Sequence, residues 1–300
     1  MTSSSPAAFT PALGIDIGGT SVKASLLRSQ ASSSECLAVH DGTPEGLRRA
    51  MVTIVESLDP HIAGVAAVGV CLPGLYDASA DCLVRAVNLP GLVGVALKPL
   101  VSSALPRPSP LCVRSDALAA GIDDAAERHL SGRLLAVSLG TGVGAIVLDG
   151  DAPLRVSPPD APLSSGHLGQ MDVSLTADAP VGPDGGRGSL EAYIGAPALR
   201  ARLGDLPAAL PRLAADDPAV RALVRALRVA HAIYRPDHVS LLGGVGLGLA
   251  HLVPAIHAAV TDGLTSIARP HWTLVPARHT FHAARGAARL ALRDQAQPGA

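Results

Sequence analysis

LGIDIGGTSVK, residues 13–23, places two adjacent glycines and Thr20 directly behind a run in which Leu13, Ile15 and Ile17 alternate with Gly14 and Asp16. That alternation reads as a half-buried strand, and the apolar rhythm resumes at Val22, so the stretch predicts a β-hairpin with a polar glycine tip. LLAVSLGTGVGAIVL, residues 134–148, repeats the design. Leu135, Val137 and Leu139 alternate, Gly140, Thr141 and Gly142 make the tip, and apolar residues return from Ala145 to Leu148. Two hairpins of one design in two halves of the chain predict duplicated domains, each offering a glycine tip to the gap between them.

Strand and helix patterns alternate around both hairpins. Thr43 and Pro44 start an amphipathic helix spaced by Leu47, Met51, Ile54, Val55 and Leu58, and the run 64–72 after it reads as a strand. Ser115 and Asp116 cap a helical run over 116–130. Asp216, Asp217 and Pro218 open another helix ending near Tyr234, HVSLLGG (238–244) is a strand running into a third glycine pair, and a last helix spans 280–294. Residues 153–188, rich in Pro, Gly, Asp and Ser, read as loops flanking a site. The expected organisation is a disordered lead-in over 1–12, a smaller domain over 13–115 completed by the helix 280–294, and a larger domain over 116–279.

With 48% hydrophobic and 16% charged residues, a chain of 300 has ample material for a core. A formal net charge of −1 provides no basic field for nucleic acid or an anionic membrane, which points to small-molecule partners. Cys36, Cys71, Cys82 and Cys112 form no CxxC pair and read as buried free thiols in a reducing cytoplasm. MTSSSPAAFTPA has no basic n-region or apolar core, so no export signal is expected, and the longest apolar run is too short to cross about 30 Å of hydrocarbon. Lys23 and Lys98 are the only lysines beside abundant Arg, Ala, Gly and Pro, which suggests a GC-rich genome.

Glycine tips suit phosphate, because backbone N–H groups without a Cβ approach oxygens closely. No GxxxxGK[ST] loop exists, and LGTGVGAIV lacks the last glycine of a dinucleotide fingerprint and returns to a strand. Each remaining tip, taken alone, reads equally as a tight turn. Asp116, taken alone, reads as a helix cap stabilising by about 1 kcal/mol.

Taken together, GIDIGGTSVK, the PG of CLPG, VNLPG, SDALAAG, SLGTGVGA, the GH of SSGHLG, the SLE of GRGSLEAYIG and YRPDHVSLLGG resemble the ROK family of repressors, uncharacterised reading frames and sugar kinases, collinearly from Leu13 to about Arg293. The resemblance implies an α/β fold of two actin-like (ribonuclease H-like) domains with an interdomain cleft for ATP and substrate. It implies an ATP- and Mg²⁺-dependent kinase and suggests a homodimer. Family repressors carry a DNA-binding segment before the first strand; only a dozen residues precede it here, which points away from that branch. By family position, Gly18, Gly19 and Thr20 of one domain and Gly140, Thr141 and Gly142 of the other would donate to phosphates. Asp16 would lie near Mg²⁺ through water, Lys23 would add positive charge, and Gly243 and Gly244 would admit the adenosine. Asp116 would be the base that takes the substrate hydroxyl's proton, even if its helix N-terminus lowers its pKa. Gly74, Asn88, Ser115, Ser164, His167 and Glu191 would line the substrate side.

The pattern also departs from the family. Its kinases follow the GH with a CxCGxxGC zinc cluster, whereas QMDVSLTADAPVGPDGGRGSLE (170–191) has no cysteine, so no zinc is expected. Ser115 and Ser164 stand where many members have Asn and Glu. A carboxylate only accepts hydrogen bonds while a hydroxyl also donates, which favours a substrate carrying a carbonyl or a displaced hydroxyl. A C7-cyclitol of the valiolone type, phosphorylated on its hydroxymethyl group, fits, and a GC-rich source is compatible with antibiotic biosynthesis. Glucose or an N-acylhexosamine is the alternative substrate, and a catalytically silent sugar sensor is the alternative function. ATPases of the actin or chaperone type lack the SDALAAG and GH elements.

Overall fold

The first glycine tip joins β1 (Ala12–Ile17) to β2 (Ser21–Leu27) in antiparallel register, and β3 (Ser33–Val39) continues the meander. β4 (Ala67–Leu72) runs parallel to β1 on its other side, β5 (Leu75–Asp77) and β6 (Cys82–Arg85) make a separate ribbon, and β7 (Leu111–Ser115) pairs with β4. The second tip joins β8 (Arg133–Leu139) to β9 (Val143–Asp149), with the short β10 (Ala152–Pro153) beyond. β11 (His238–Leu242) runs parallel to β8, and β12 (Thr273–Pro276) parallel to β11. The sheet orders are β3-β2-β1-β4-β7 and β10-β9-β8-β11-β12. They match strand for strand, which is the duplication the two hairpins announce. This computed structural model describes residues 10–29, 33–58, 61–107, 109–156, 165–183, 185–267 and 271–296.

Period-2 side-chain alternation explains how each sheet finds its core. Leu13, Ile15 and Ile17 point into a cluster with Leu47, Met51 and Ile54 of the helix Pro44–Leu58. Leu135, Val137 and Leu139 do the same with Val220, Leu223 and Leu227 of the helix Pro218–Tyr234. A third cluster, rich in alanine, lies where the helix Asp116–Arg128 and the C-terminal helix His282–Ala296 pack together and against both sheets. Glycine makes that approach close: a Cβ on Gly14 would fall 1.7 Å from the Ala284 carbonyl, and one on Gly69 1.9 Å from that of Ala287. Gly14 is therefore a contact surface for the C-terminal helix.

The helix expected over 116–130 ends at Arg128, where His129 takes a left-handed conformation that closes it. The last helix begins at His282 and not at residue 280. β3 and the β5–β6 ribbon were not expected. All four cysteines are free, but only Cys71 and Cys112 are buried; Cys36 and Cys82 are half-buried, a correction to the uniform burial expected. Residues 1–9 of the lead-in lie outside the described residues, and Ala12 already belongs to β1. No described helix is long and apolar enough to cross a membrane.

Candidate active site

The two tips share one internal economy. Gly18 donates its N–H to the Ser21 carbonyl at 2.9 Å, and Gly140 donates to the Gly142 carbonyl at 3.0 Å. The first glycine of each tip, expected as a phosphate donor, thus uses its N–H to close its own turn. Among the described residues no acceptor is seen for the N–H groups of Gly19, Thr20, Thr141 and Gly142, the donors that remain for an anion. His40 steadies the first tip: its Nε2–H donates to the Gly18 carbonyl at 2.8 Å while its Nδ1 accepts from Gly42. The second is braced by Ala196, whose N–H donates to the Gly140 carbonyl at 2.8 Å.

Asp16 is the next-to-last residue of β1, in register with Lys23 on β2 and Cys71 on β4. Both Asp16 and Asp116 keep part of their surface accessible yet are closely packed. Burial pushes the Asp16 carboxyl up to about 6, the Asp116 charge adds to the rise, and Lys23 and the Cys71 thiol oppose it. Lys23 also donates to the Thr280 carbonyl at 3.1 Å, tying the site to the segment before the C-terminal helix.

Asp116 is not the helix cap. Ser115 holds that place, its side chain accepting from Leu118 N–H at 3.3 Å, and Asp116 is the first helical residue. Its Oδ1 accepts from the Ala117 N–H at 2.7 Å. Burial raises the Asp116 carboxyl above the ordinary carboxylate value despite the backbone N–H groups, so desolvation outweighs the lowering expected from the helix terminus.

Asn88 and Glu191, expected to bind substrate, converge with Gly19 and Gly142 of the two tips. A Cβ on Gly19 would lie 3.0 Å from the Asn88 carbonyl, and one on Gly142 would lie 2.7 Å from Glu191 Oε2 and 3.1 Å from Asn88 Nδ2. Glu191, capped into its helix by Ser189, is buried and accepts the Val143 N–H at 2.7 Å. Gly74 turns the chain after β4 with φ 98° against the Arg85 carbonyl. His167 is exposed at the start of the turn Leu168–Gln170. Ser164 lies outside the described residues.

Gly243 and Gly244 separate in role. Gly243 has φ 79°, and a Cβ there would sit 2.3 Å from the Leu139 carbonyl, so it is needed to start the short helix Gly243–Gly248 against β8. A Cβ on Gly244 would meet nothing within 4 Å, so Gly244 borders open space.

Sequence reading missed the partners that tune these groups: the Cys71 thiol 3.7 Å from Asp16 Oδ1, the Thr280 carbonyl and the Val143 N–H. It also missed a cluster between the two interdomain helices. Asp123 accepts from His282 Nδ1 and Arg289 Nε, both at 2.8 Å, while Arg285 donates to His279 Nε2 at 2.6 Å. Asp123, Glu127, His279 and His282 are close enough together to hold a cation. Arg285 and Arg289 stand against the two carboxylates, Arg289 Nε 2.8 Å from Asp123 and Arg285 3.6 Å from both Asp123 and Glu127, so the cluster is an internal ion network.

The ROK family model matches residues 12–294, and the chain belongs to the ROK family. A sequence search against curated proteins gives no match. Among solved structures, the chain is similar to a ROK family glucokinase from Streptomyces griseus in complex with glucose and AMPPNP, at 22% identity over 94% of this chain and 99% of that one, with a TM-score of 0.70. A ROK hexokinase from Thermus thermophilus is similar at 23% identity over 95% and 99% of the two chains, with a TM-score of 0.68. A ROK family transcriptional regulator, a homologue of the E. coli MLC protein, is similar at 16% identity over 95% of this chain and 78% of that one, with a TM-score of 0.70. The fold is the two-domain, actin-like architecture of these proteins, with an interdomain cleft.

Proposed function

We propose that the chain is an ATP-dependent kinase for the primary hydroxyl of a hexose-like polyol, with a C7-cyclitol of the valiolone type as the favoured substrate. The observation that carries the reading is Asp116, a packed but accessible carboxylate at the first position of a helix whose cap is supplied by another residue. A regulator in the family has an equally similar fold, so fold alone does not choose between kinase and sensor. The retained carboxylate favours the kinase.

In the proposed reaction, Ala117 N–H holds Asp116 Oδ1, and Oδ2 would take the acceptor hydroxyl. The hydroxyl proton passes to Asp116 as the hydroxyl oxygen bonds the γ-phosphorus, and the bond to the β,γ-bridging oxygen breaks to release ADP. Phosphoryl transfer of this kind asks the protein for placement and charge stabilisation. The N–H groups of Gly19, Thr20, Thr141 and Gly142 supply donors, Lys23 supplies positive charge, and Gly244 leaves room for the adenosine. Burial raises both Asp16 and Asp116, and the Asp116 charge adds to the rise at Asp16; such a pair suits a divalent cation, and Asp16 would hold Mg²⁺ through water. When bound, Mg²⁺ neutralises phosphate oxygens.

The cyclitol preference rests on Ser115. Its oxygen already accepts from Leu118, so its proton is available to donate to a carbonyl or ring substituent. Asn88, Glu191, His167, Gly74 and Ser164 complete the proposed substrate side. Glucose is the alternative acceptor, being what the Streptomyces griseus glucokinase holds. The reading takes 13–115 with the last helix and 116–279 as the two lobes, a cytoplasmic location, no zinc and a homodimer. A coupled ATP-to-ADP assay over a panel of sugars and cyclitols tests it. Turnover highest with a cyclitol ketone supports the full reading, and turnover highest with glucose leaves a glucokinase. Polyol binding without turnover makes the chain a sensor.

A further inference from the structure

The helix Pro218–Tyr234 turns Val220, Leu223 and Leu227 into the core and exposes its opposite face. Arg221, Arg225 and Arg228 stand on that face, and Arg235 follows at its C-terminal end. Together they line a cleft of about 850 Å³ that also contains Val229 and Ile267, the latter 73% exposed. Among the described residues no carboxylate lines this cleft. Among the described residues none of the four arginines is in an ion pair. Arg225 and Arg228 are steadied through the Ser174 and Gly263 carbonyls, which fixes their direction and leaves the remaining guanidinium N–H groups for a ligand. Asp172, whose Oδ1 accepts from Ser174, also feels the Arg225 charge.

The whole chain has a formal net charge of −1, so four arginines in one cleft, with Asp172 near Arg225 as the one carboxylate that interacts with them among the described residues, are a local feature. Arginine is suited to carboxylates because its planar fork matches them with two parallel hydrogen bonds. From Arg221 to Arg235 the strip is about 21 Å long at 1.5 Å per helical residue. That is the footprint of a partner helix of about four turns. The apolar patches between the arginines match a ligand that is not charged throughout.

We infer that this face is a docking surface for an acidic, amphipathic segment of a partner protein, whose carboxylates meet the arginine strip and whose apolar side chains meet Val229 and Ile267. A second copy of the chain fits poorly, because a two-fold contact centred on the strip would set guanidinium against guanidinium. A lone phosphate would leave most of the cleft, and all of its apolar surface, unused.

The test uses the full chain and three probes, followed by fluorescence anisotropy: a synthetic helical peptide with Glu on one face and Leu on the other, its Lys counterpart, and inorganic tripolyphosphate. Only the Glu/Leu peptide is expected to bind. The double variant Arg221→Glu/Arg228→Glu weakens that binding by at least about tenfold, Ile267→Ser weakens it less, and neither alters ATP turnover, since no residue of the strip belongs to the proposed active site. Unchanged binding in the double variant overturns the inference. So does equal binding of tripolyphosphate, which would mark a general anion site. Conversion of a dimer into monomers by the double variant, read by light scattering, would assign the face to a second copy.

Discussion

Glu191 Oε2 accepts the backbone N–H of Val143 at 2.7 Å, and Val143 is the residue directly after the second glycine tip. A side chain expected to serve the sugar thus also fixes the loop proposed for phosphate. Removing it leaves Val143 N–H without that acceptor, a loss of about 1–3 kcal/mol for a buried donor. Glu191→Ala is expected to raise KM for ATP as well as for the polyol and to lower kcat/KM by about ten- to a hundredfold. Glu191→Gln keeps an acceptor oxygen and is expected to restore much of the ATP term. Steady-state kinetics with each substrate varied in turn separate the two, and an unchanged KM for ATP in Glu191→Ala would show that the tip holds itself.

Asp116→Asn is expected to lower kcat by about 10²–10⁴ with nucleotide binding and Tm nearly unchanged. The volume is conserved, the amide oxygen still accepts from Ala117, and the helix keeps its cap because Ser115 provides it. Ser115→Ala makes the contrast, expected to cost about 1 kcal/mol of stability. Near-normal turnover in Asp116→Asn removes Asp116 from the reaction.

The raised pKa values of the two aspartates set a pH profile. Asp16 titrates at about 6 in the folded chain, above the ordinary 3.8. It must be ionised to hold Mg²⁺, so kcat/KM is expected to fall as pH drops through about 6, with excess Mg²⁺ moving the fall to lower pH by favouring the charged form. For stability the sign is opposite: a carboxyl with a raised folded value favours the fold at low pH, and the contribution is lost as pH rises from 3.8 to about 6. Asp16→Asn is expected to remove the Mg²⁺-dependent displacement of the profile. A flat profile between pH 5 and 7 in the native chain would contradict this role for Asp16.

The hairpins and both glycine tips are legible because alternation and glycine placement are local signals, and the duplication follows from finding the same hairpin twice; the order of the remaining strands is set by packing. β3 is not legible. Its sequence SSECLAV opens with two serines and a glutamate, and its side chains are mostly half-buried or exposed, as at a sheet edge, so it carries no clean apolar rhythm. Asp116 is legible by position, but its environment is not: Ser115 takes the cap and burial sets its acidity, both products of packing. The closing of the Gly18 and Gly140 turns on their own carbonyl partners is likewise geometry that spacing does not reveal.

Least legible is the bond between Asp123 and His282, which are separated by 159 positions. In the sequence Asp123 is one polar residue on an amphipathic helix; in the fold it is fully buried beneath His282, Arg285 and Arg289. Because the interdomain helices meet here, cutting the network is expected to destabilise the whole chain. Asp123→Ala leaves two guanidinium groups without their buried partner, at a cost of about 3–5 kcal/mol. Acid acts on the same place. Burial and the neighbouring His282 and Arg285 charges depress His279 from 6.5 to about 4. A depressed histidine favours the fold in its neutral form, so this stability is complete above pH 6.5 and is lost as pH falls toward 4. Asp123, held low by His282 and Arg289 despite its burial, contributes a further loss only below its ordinary 3.8. Thermal unfolding of the native chain and of His279→Gln between pH 7.5 and 4.5 checks this: the variant is expected to lose less Tm on acidification. Arg285 occupies the place a cation would take, so a chelator is expected to leave Tm unchanged at pH 7.5. One zinc per chain by elemental analysis, together with a Tm that falls on chelation, would instead mean that Arg285 swings aside for a metal.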